Sequence, residues 1–406
     1  MADSQTRIIE SEHGFNRPIP EWKFSFIAWL FAFCAVFIIS NVYTMIPIIT
    51  DVSQALHVST SAAFWASSIF AIFYAFGFLV FGPLSDKLGR KQVIVYGLLF
   101  LTITTFSIGF VHNIVIIIVL RAIQGFFAAT FQPVALAYVF ETYPSEKKGT
   151  TISIISTGFL IAAIVGQLIS SWVTRHFGWS NVFIVFGIIY LLALIVVWKI
   201  LPYTKKQKKN MHLLAAWKQM FRLLLNPKLV GAYFITFTLC LSFVGMCASM
   251  GNYLIETYRL SAHQVFQIRC LGVIGMTLSL LTGKLIAQFG LKSVLVGGLI
   301  TAAGGMLLES MMSNVNLIAI FSVVFVAGLS ISISTLIQVV GILGDQAKSS
   351  AAVLYALLLN LGASAGPLIL NFGDFRIVTL ILAGILTVSM IISGTLKISG
   401  EQIKSN

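Results

Sequence analysis

Charge is scarce in this sequence: Asp, Glu, Lys and Arg make up 10% of its 406 residues, while 58% are hydrophobic and the mean hydropathy is +0.96. A soluble domain carries about 25% charged residues, so the shortage excludes one. Acid is scarcer than base, 13 residues against 26. The surplus base falls between apolar runs rather than in one patch, which argues against nucleic acid as a partner. Cysteine is nearly absent, and Cys34, Cys240, Cys247 and Cys270 all lie in apolar stretches without a CxxC spacing. That excludes a disulfide framework and a zinc site, and no metal or cofactor is expected. A phosphate-binding GxxxxGK[ST] is missing too, since the pair Gly283 and Lys284 is followed by Leu285, so ATP-driven transport by this chain is excluded. Gly362, Ser364 and Gly366 spell the GxSxG of a hydrolase elbow, but inside an apolar run, where close helix packing explains them; the chain is not expected to be an enzyme.

What the sequence has in abundance is long apolar runs. They fall at approximately 24–49, 60–81, 93–111, 114–140, 150–174, 180–200, 229–254, 262–286, 292–310, 316–340, 350–372 and 375–396. Crossing a hydrocarbon core ~30 Å thick takes about 20 residues of helix, so each run predicts one span of an all-α integral membrane protein. The runs are continuous rather than alternating, which excludes a barrel. The first 23 residues have no basic stretch leading into a short apolar core and no small-residue cleavage site, so the first run reads as an uncleaved span. Lys and Arg crowd one side of the spans, leaving Arg175, Arg259 and Arg376 on the other and Arg121 and Arg269 within runs. The positive-inside rule then places both termini in the cytoplasm.

One long break, 201–228, opens with Lys205, Lys206, Lys208 and Lys209 and continues as Leu213, Leu214, Trp217, Met220, Phe221, Leu224 and Leu225 at helical spacing. It predicts a helix lying on the inner leaflet. The expected organisation is a segment 1–23, a six-helix bundle 24–200, the linker 201–228, a second bundle 229–396 and a tail 397–406. The bundles are related: Gly82, Leu84, Gly89 and Lys91 recur as Gly283, Leu285, Gly290 and Lys292, and Gly166 recurs as Gly366. Two pseudo-symmetric bundles in the same orientation suit rocking about a central site.

The string GPLSDKLGRKQ carries its own physics. Gly82 and Gly89 permit close packing and a tight reversal, Asp86 offers an anion to a nearby helix N-terminus, and Arg90 and Lys91 supply cations. Through Gly82, Leu84, Asp86, Gly89, Arg90 and Lys91 it resembles the loop between the second and third helices of the major facilitator superfamily, and more narrowly of its twelve-helix proton-coupled drug and metabolite exporters (drug:proton antiporter-like). LRAIQGFFAA, with Arg121, Gln124 and Gly125, is similar to the family's fourth helix, and the resemblance covers essentially the whole chain. It implies that Asp86 faces the start of helix 11 near Ser349 and Ser350, that Arg90 pairs with Glu141 as a gate holding an outward-open state, and that Arg121 takes part in proton transfer. The chain departs from the antiporter pattern in the fifth helix, where Gly166 is followed by Gln167 rather than proline and Ala162 replaces the preceding glycine.

Rocking transport needs polar groups near the midplane. The candidates are Asn41, Tyr43, Trp65, Tyr74, Gln124, Gln132, Gln167, Asn252, Tyr253, Gln267, Arg269, Gln338, Tyr355 and Asn360, a set that suits an amphipathic, partly aromatic solute. No carboxylate lies in the middle of a run. A proton site would have to be a rim acid or rely on Arg121, and the order of preference is Glu256, next to Tyr253, then Asp51, with Glu309 and Glu141 also near run ends. The expectation is a monomer in a bacterial inner membrane, in contact with lipid, exporting a small molecule in exchange for protons. The alternatives are an uncoupled or narrow exporter of a sugar or amino-acid-like metabolite and, more remotely, a receptor or scaffold that moves nothing.

Overall fold

The computed structural model describes residues 20–203, 213–344 and 347–396. The basic cluster Lys205, Lys206, Lys208 and Lys209, most of the segment 1–23 and the tail 397–406 lie outside them, as does the side chain of Ser349. Among the described residues twelve helices are long and apolar enough to cross a membrane: α1 Glu21–Ser40, α2 Thr60–Leu88, α3 Arg90–Phe110, α4 Ile114–Thr142, α5 Ser145–Phe177, α6 Trp179–Ile200, α7 Leu229–Tyr258, α8 His263–Phe289, α9 Leu291–Met311, α10 Val315–Leu343, α11 Ser350–Phe372 and α12 Phe375–Thr395.

Several runs that read as single helices are interrupted. The run expected at 24–49 stops at Ser40; residues 41–45 turn, and the chain resumes as the short helices Ile46–Ile48 and Ile49–Ala55. Pro47, which has no N–H to give, stands at the restart. α4 breaks between Ala128 and Gln132, just before Pro133. α11 ends as the tighter turn Gly366–Phe372 around Pro367. Breaks at membrane depth are tolerable only where protein groups satisfy the freed backbone.

The chain divides into two compact units, residues 1–144 with 158–218 and residues 145–157 with 219–406. In the first, α2 packs on α4 and α3 on α6; in the second, α8 packs on α10 and α9 on α12. The matching pairs are joined by matching devices. Gly89 (φ +102°) and Gly290 (φ +81°) make the reversals into α3 and α9 in a conformation that side chains avoid. Ser59 and Ser261 cap α2 and α8, while Asn113 and Asn314 cap α4 and α10, by accepting from backbone N–H groups of the first turn. Close approaches repeat as well. A Cβ on Gly166 would sit 2.6 Å from the Ser40 carbonyl oxygen, and one on Gly366 2.7 Å from Val244 Cβ, so α5 lies against α1 and α11 against α7. Gly158 meets the Ala32 carbonyl in the same way, and Ser40 Oγ donates to Ala162 O at 2.8 Å; small residues four apart on α5 bring the two backbones together. Gly362 lies against the Phe237 backbone, the packing expected for the GxSxG string.

Between α4 and α5 the Tyr143 hydroxyl donates to Phe24 O at 2.9 Å, and burial pushes its phenol above the ordinary range. The linker helix Leu213–Leu224 is joined to the first unit by Trp217, whose indole N–H donates to Leu79 O at 3.1 Å. Its expected apolar face is only partly covered: Met220 is buried, Phe221 and Leu225 exposed.

Candidate functional site

The first unit is built around one buried cation. Arg121, on α4, is 0% exposed. Its Nε donates to Ala66 O at 3.0 Å, Nη1 to Asn41 Oδ1 at 3.1 Å and to Gln124 Oε1 at 2.7 Å, and Nη2 to Asn41 O at 3.2 Å. The Phe70 ring covers its face at 4.3 Å. Gln124 Nε2 donates to Thr105 Oγ1 at 2.7 Å, and Asn41 Nδ2 to the Tyr190 hydroxyl at 2.8 Å, which itself donates to Phe37 O at 2.8 Å. The network thus ties α1, α2, α3, α4 and α6. It explains why α1 stops: the Asn41 carbonyl, freed at the helix end, takes one arm of the guanidinium. A charge in hydrocarbon costs ~2.5 kcal/mol or more unless partnered, and here every acceptor that meets it is neutral. Tyr74 donates to Gln132 Oε1 at 3.1 Å nearby, and both are buried.

At the reversal into α3, Gly89 places Arg90 at the first helical position, where it is 2% exposed. Its Nη2 lies 2.5 Å from Glu141 Oε1 and its Nε donates to Glu141 Oε2 at 3.1 Å, a two-pronged pair. The same guanidinium meets Asp86 and the Ser85 hydroxyl, which donates to Gly82 O at 2.7 Å. Gly82 is buried, and Lys91 turns aside to lie over the Tyr203 ring at 4.2 Å. Glu141, distant in sequence, joins Asp86 and Arg90 in one cluster.

The other expected residues are dispersed. Gln167, Gln338 and Asn360 each donate to the carbonyl four residues back on their own helix, at 2.8, 3.4 and 2.7 Å. Trp65, Asn252 and Gln267 are exposed, Gln267 against His263; Tyr43 is half-buried, and Tyr355 is buried with its hydroxyl 3.5 Å from Ile333 O. Tyr253 stacks on Phe375 with ring centroids 4.6 Å apart. Asp51 and Glu256, the preferred acids, are both exposed.

The acid placed behind them is the one that stands out. Glu309, in the last turn of α9, is 0% exposed, and neither carboxylate oxygen has a hydrogen-bond partner. The signal was present in the sequence: Ala302, Gly305, Met306 and Glu309 recur at helical spacing on the buried face of α9. Arg269 on α8 reaches across Gly251 to donate from Nη2 to Cys247 O, and its Nε is buried without a partner. Among the described residues no group of three His, Cys, Asp or Glu could hold a metal ion.

Twelve apolar helices in two repeated six-helix units, with a buried arginine hub and a glycine-hinged ion cluster, define a multi-pass membrane protein of the transporter kind. The chain belongs to the Major Facilitator Superfamily, which it matches over residues 28–367. It is 25% identical to an uncharacterized MFS-type transporter, YybF, of Bacillus subtilis, over 79% of this chain and 80% of that one. It is 35% identical to the multi-drug resistance efflux pump PmrA of Streptococcus pneumoniae over 43% of this chain and 44% of that one, and 28% identical to the multidrug resistance protein MdtG of a Rahnella species over 53% and 52%. Among solved structures, the human organic anion transporter MFSD10 superposes with a TM-score of 0.75 at 14% identity, covering 93% of this chain and all of that one. FucP in the outward conformation gives 0.72 at 18% identity, over 93% and 99%. At such identities the likeness is one of fold.

Proposed function

We propose that this protein exports a small amphipathic compound, a drug or a metabolite, across the membrane in exchange for protons, by alternating access between two rocking six-helix bundles. The observation that carries the reading is that relatives matching about half of the chain, PmrA and MdtG, are named for multidrug resistance. In this reading the bundles are 24–200 and 229–396, both termini lie in the cytoplasm of a bacterium and the chain works as a monomer in its inner membrane. Asp86, Arg90, Glu141, Gly82, Gly89 and Lys91 form the gate at the cytoplasmic face, and Arg121 holds the first bundle rigid from within. The aromatic and amide side chains of both bundles receive the solute, and no enzymatic step is involved.

A second reading has one observation in its favour: Gln167 stands where the antiporter pattern carries proline after Gly166. It makes the protein an uncoupled or narrow exporter of a sugar or amino-acid-like metabolite. Accumulation of a panel of fluorescent amphipathic dyes, measured in cells with and without the chain and with and without a protonophore, separates the two. Lower accumulation that the protonophore abolishes is the expected result; unchanged accumulation across the panel overturns polyspecific export.

A further inference from the structure

Glu309 is the buried carboxylate among the described residues; Asp51, Glu146, Glu256 and Asp374 are exposed and Asp86 and Glu141 partly so. It stands in the last turn of α9, where the carbonyl ends of the helix oppose a negative charge. Just beyond the end of α9 the chain is tied down at Ser313, whose carbonyl accepts from the Tyr258 hydroxyl and whose Oγ accepts from Arg376 Nη2 at 3.0 Å. An ionised carboxylate with no donor in such a place costs several kcal/mol, whereas the neutral acid costs far less.

The packed elements bring few charges to this end. α10 has no ionisable residue along Val315–Leu343 and α12 has Arg376 alone, committed to Ser313. α8 carries Arg269, Cys270 and His263 here and Lys284 toward its far end; α7 carries Cys247, Tyr253, Glu256 and Tyr258. Arg269 is held by the Cys247 carbonyl through Nη2, and its Nε is buried without a partner.

We infer that Glu309 is the group that takes up the exchanged proton. This rests on the proton-exchange reading above and names its carrier. In the conformation described, Glu309 is the neutral acid. On deprotonation the O–H bond breaks, the proton leaves to water, and the electron pair stays on the carboxylate. Reprotonation reverses the step. On the proposed topology this end of α9 faces outside, the side from which an exporter draws protons.

The first test uses the proton itself as the probe, in pH-jump infrared difference spectra of the full chain in lipid nanodiscs. The expected result is the carbonyl stretch of an unbonded carboxylic acid at neutral pH, lost in alkali, absent from Glu309→Gln and retained in Glu256→Gln and Asp51→Asn. A spectrum without that band, or one unchanged in Glu309→Gln, overturns the assignment. The second test is ethidium transport in proteoliposomes with and without an imposed pH gradient. Glu309→Gln should keep downhill ethidium movement but lose gradient-driven accumulation about tenfold, the size of an ordinary coupling. A variant that still responds to the gradient like the unaltered protein sinks Glu309 as carrier while leaving proton exchange standing. Ethidium movement by the unaltered protein that ignores the gradient instead removes the exchange reading itself, and the inference with it.

Discussion

Arg121 donates to four acceptors on three residues, Ala66, Asn41 and Gln124, each buried with it, so the cost of altering it lies in what is left behind. Arg121→Met would strand Gln124 Oε1 and leave Asn41 Oδ1 only a long contact from Thr44, while the Asn41 carbonyl keeps the Thr44 hydroxyl at 3.0 Å. Hydrogen bonds inside membrane proteins average under ~1 kcal/mol but unsatisfied buried groups cost more, so a loss of about 1–3 kcal/mol is expected. Arg121→Lys should recover little of it, because an ammonium cannot span the Ala66 and Asn41 carbonyls at once. Both are checked by thermal melting of the purified protein, and a Lys variant as stable as the native chain would show the fork geometry to be dispensable. Glycines divide just as sharply. A Cβ on Gly125 would collide with the Phe70 carbonyl oxygen and lie 3.0 Å from Phe70 Cα, whereas one on Gly297 meets nothing within 4 Å. Gly125→Ala must push α4 from α2 and should melt well below the native protein; Gly297→Ala should be neutral or stabilising by up to ~1 kcal/mol. Equal melting of the two would mean α2 and α4 are not held at the distance described.

The reversal between α2 and α3 shows how an element concentrates charge. Arg90 is shared by Asp86 and Glu141, so Arg90→Ala leaves two carboxylates facing each other at a helix junction without their cation. It should cost more than Glu141→Gln, by about 1–3 kcal/mol, and the two substitutions together should cost less than their sum. Melting of the singles and the double checks this; strict additivity would separate Arg90 from Glu141. Asp86 and Arg90 were legible in the sequence because they sit at fixed distances from one turn glycine, Gly89, whereas Glu141, on another helix, was reached only through the resemblance to the family. The twelve helices were legible because apolar runs of membrane length have few other uses. Less legible were the breaks. Hydropathy runs on through Asn41 and across Ala128 to Gln132, since a turn whose carbonyls are taken by a buried arginine is as apolar in composition as the helix it interrupts. Glu309 was passed over for a related reason: an acid near a run's end resembles a solvated rim residue until the phase of its helix, through Ala302, Gly305 and Met306, turns it inward. Glu256, only two residues from the end of α7, points the other way and is exposed.

For the whole molecule, direction of transport depends on which face of the membrane each loop occupies, and the fold supplies a way to read it. In the first unit α2 and α4 begin at the caps Ser59 and Asn113, and in the second α8, α10 and α12 begin at Ser261, Asn314 and Asp374; spans that alternate in direction put all five caps on one face in the proposed topology. Lys87 and Glu146, at the junctions α2–α3 and α4–α5, belong to the other. Ser59, Ser261, Asn314, Lys87 and Glu146 are exposed, so a cysteine at any of them is open to reagent from its own side. On the proposed topology, which rests on the cation imbalance, the Lys87 face lies in the cytoplasm. Single cysteines at Ser59, Ser261 and Asn314, in a chain whose four native cysteines are replaced, should therefore react with a membrane-impermeant maleimide in intact cells, and those at Lys87 and Glu146 only in inverted vesicles. The reverse pattern would put the Glu309 end of α9 in the cytoplasm. The inward proton gradient would then reach that acid from the wrong side, and export driven by protons taken up there could not operate even if every residue assignment held.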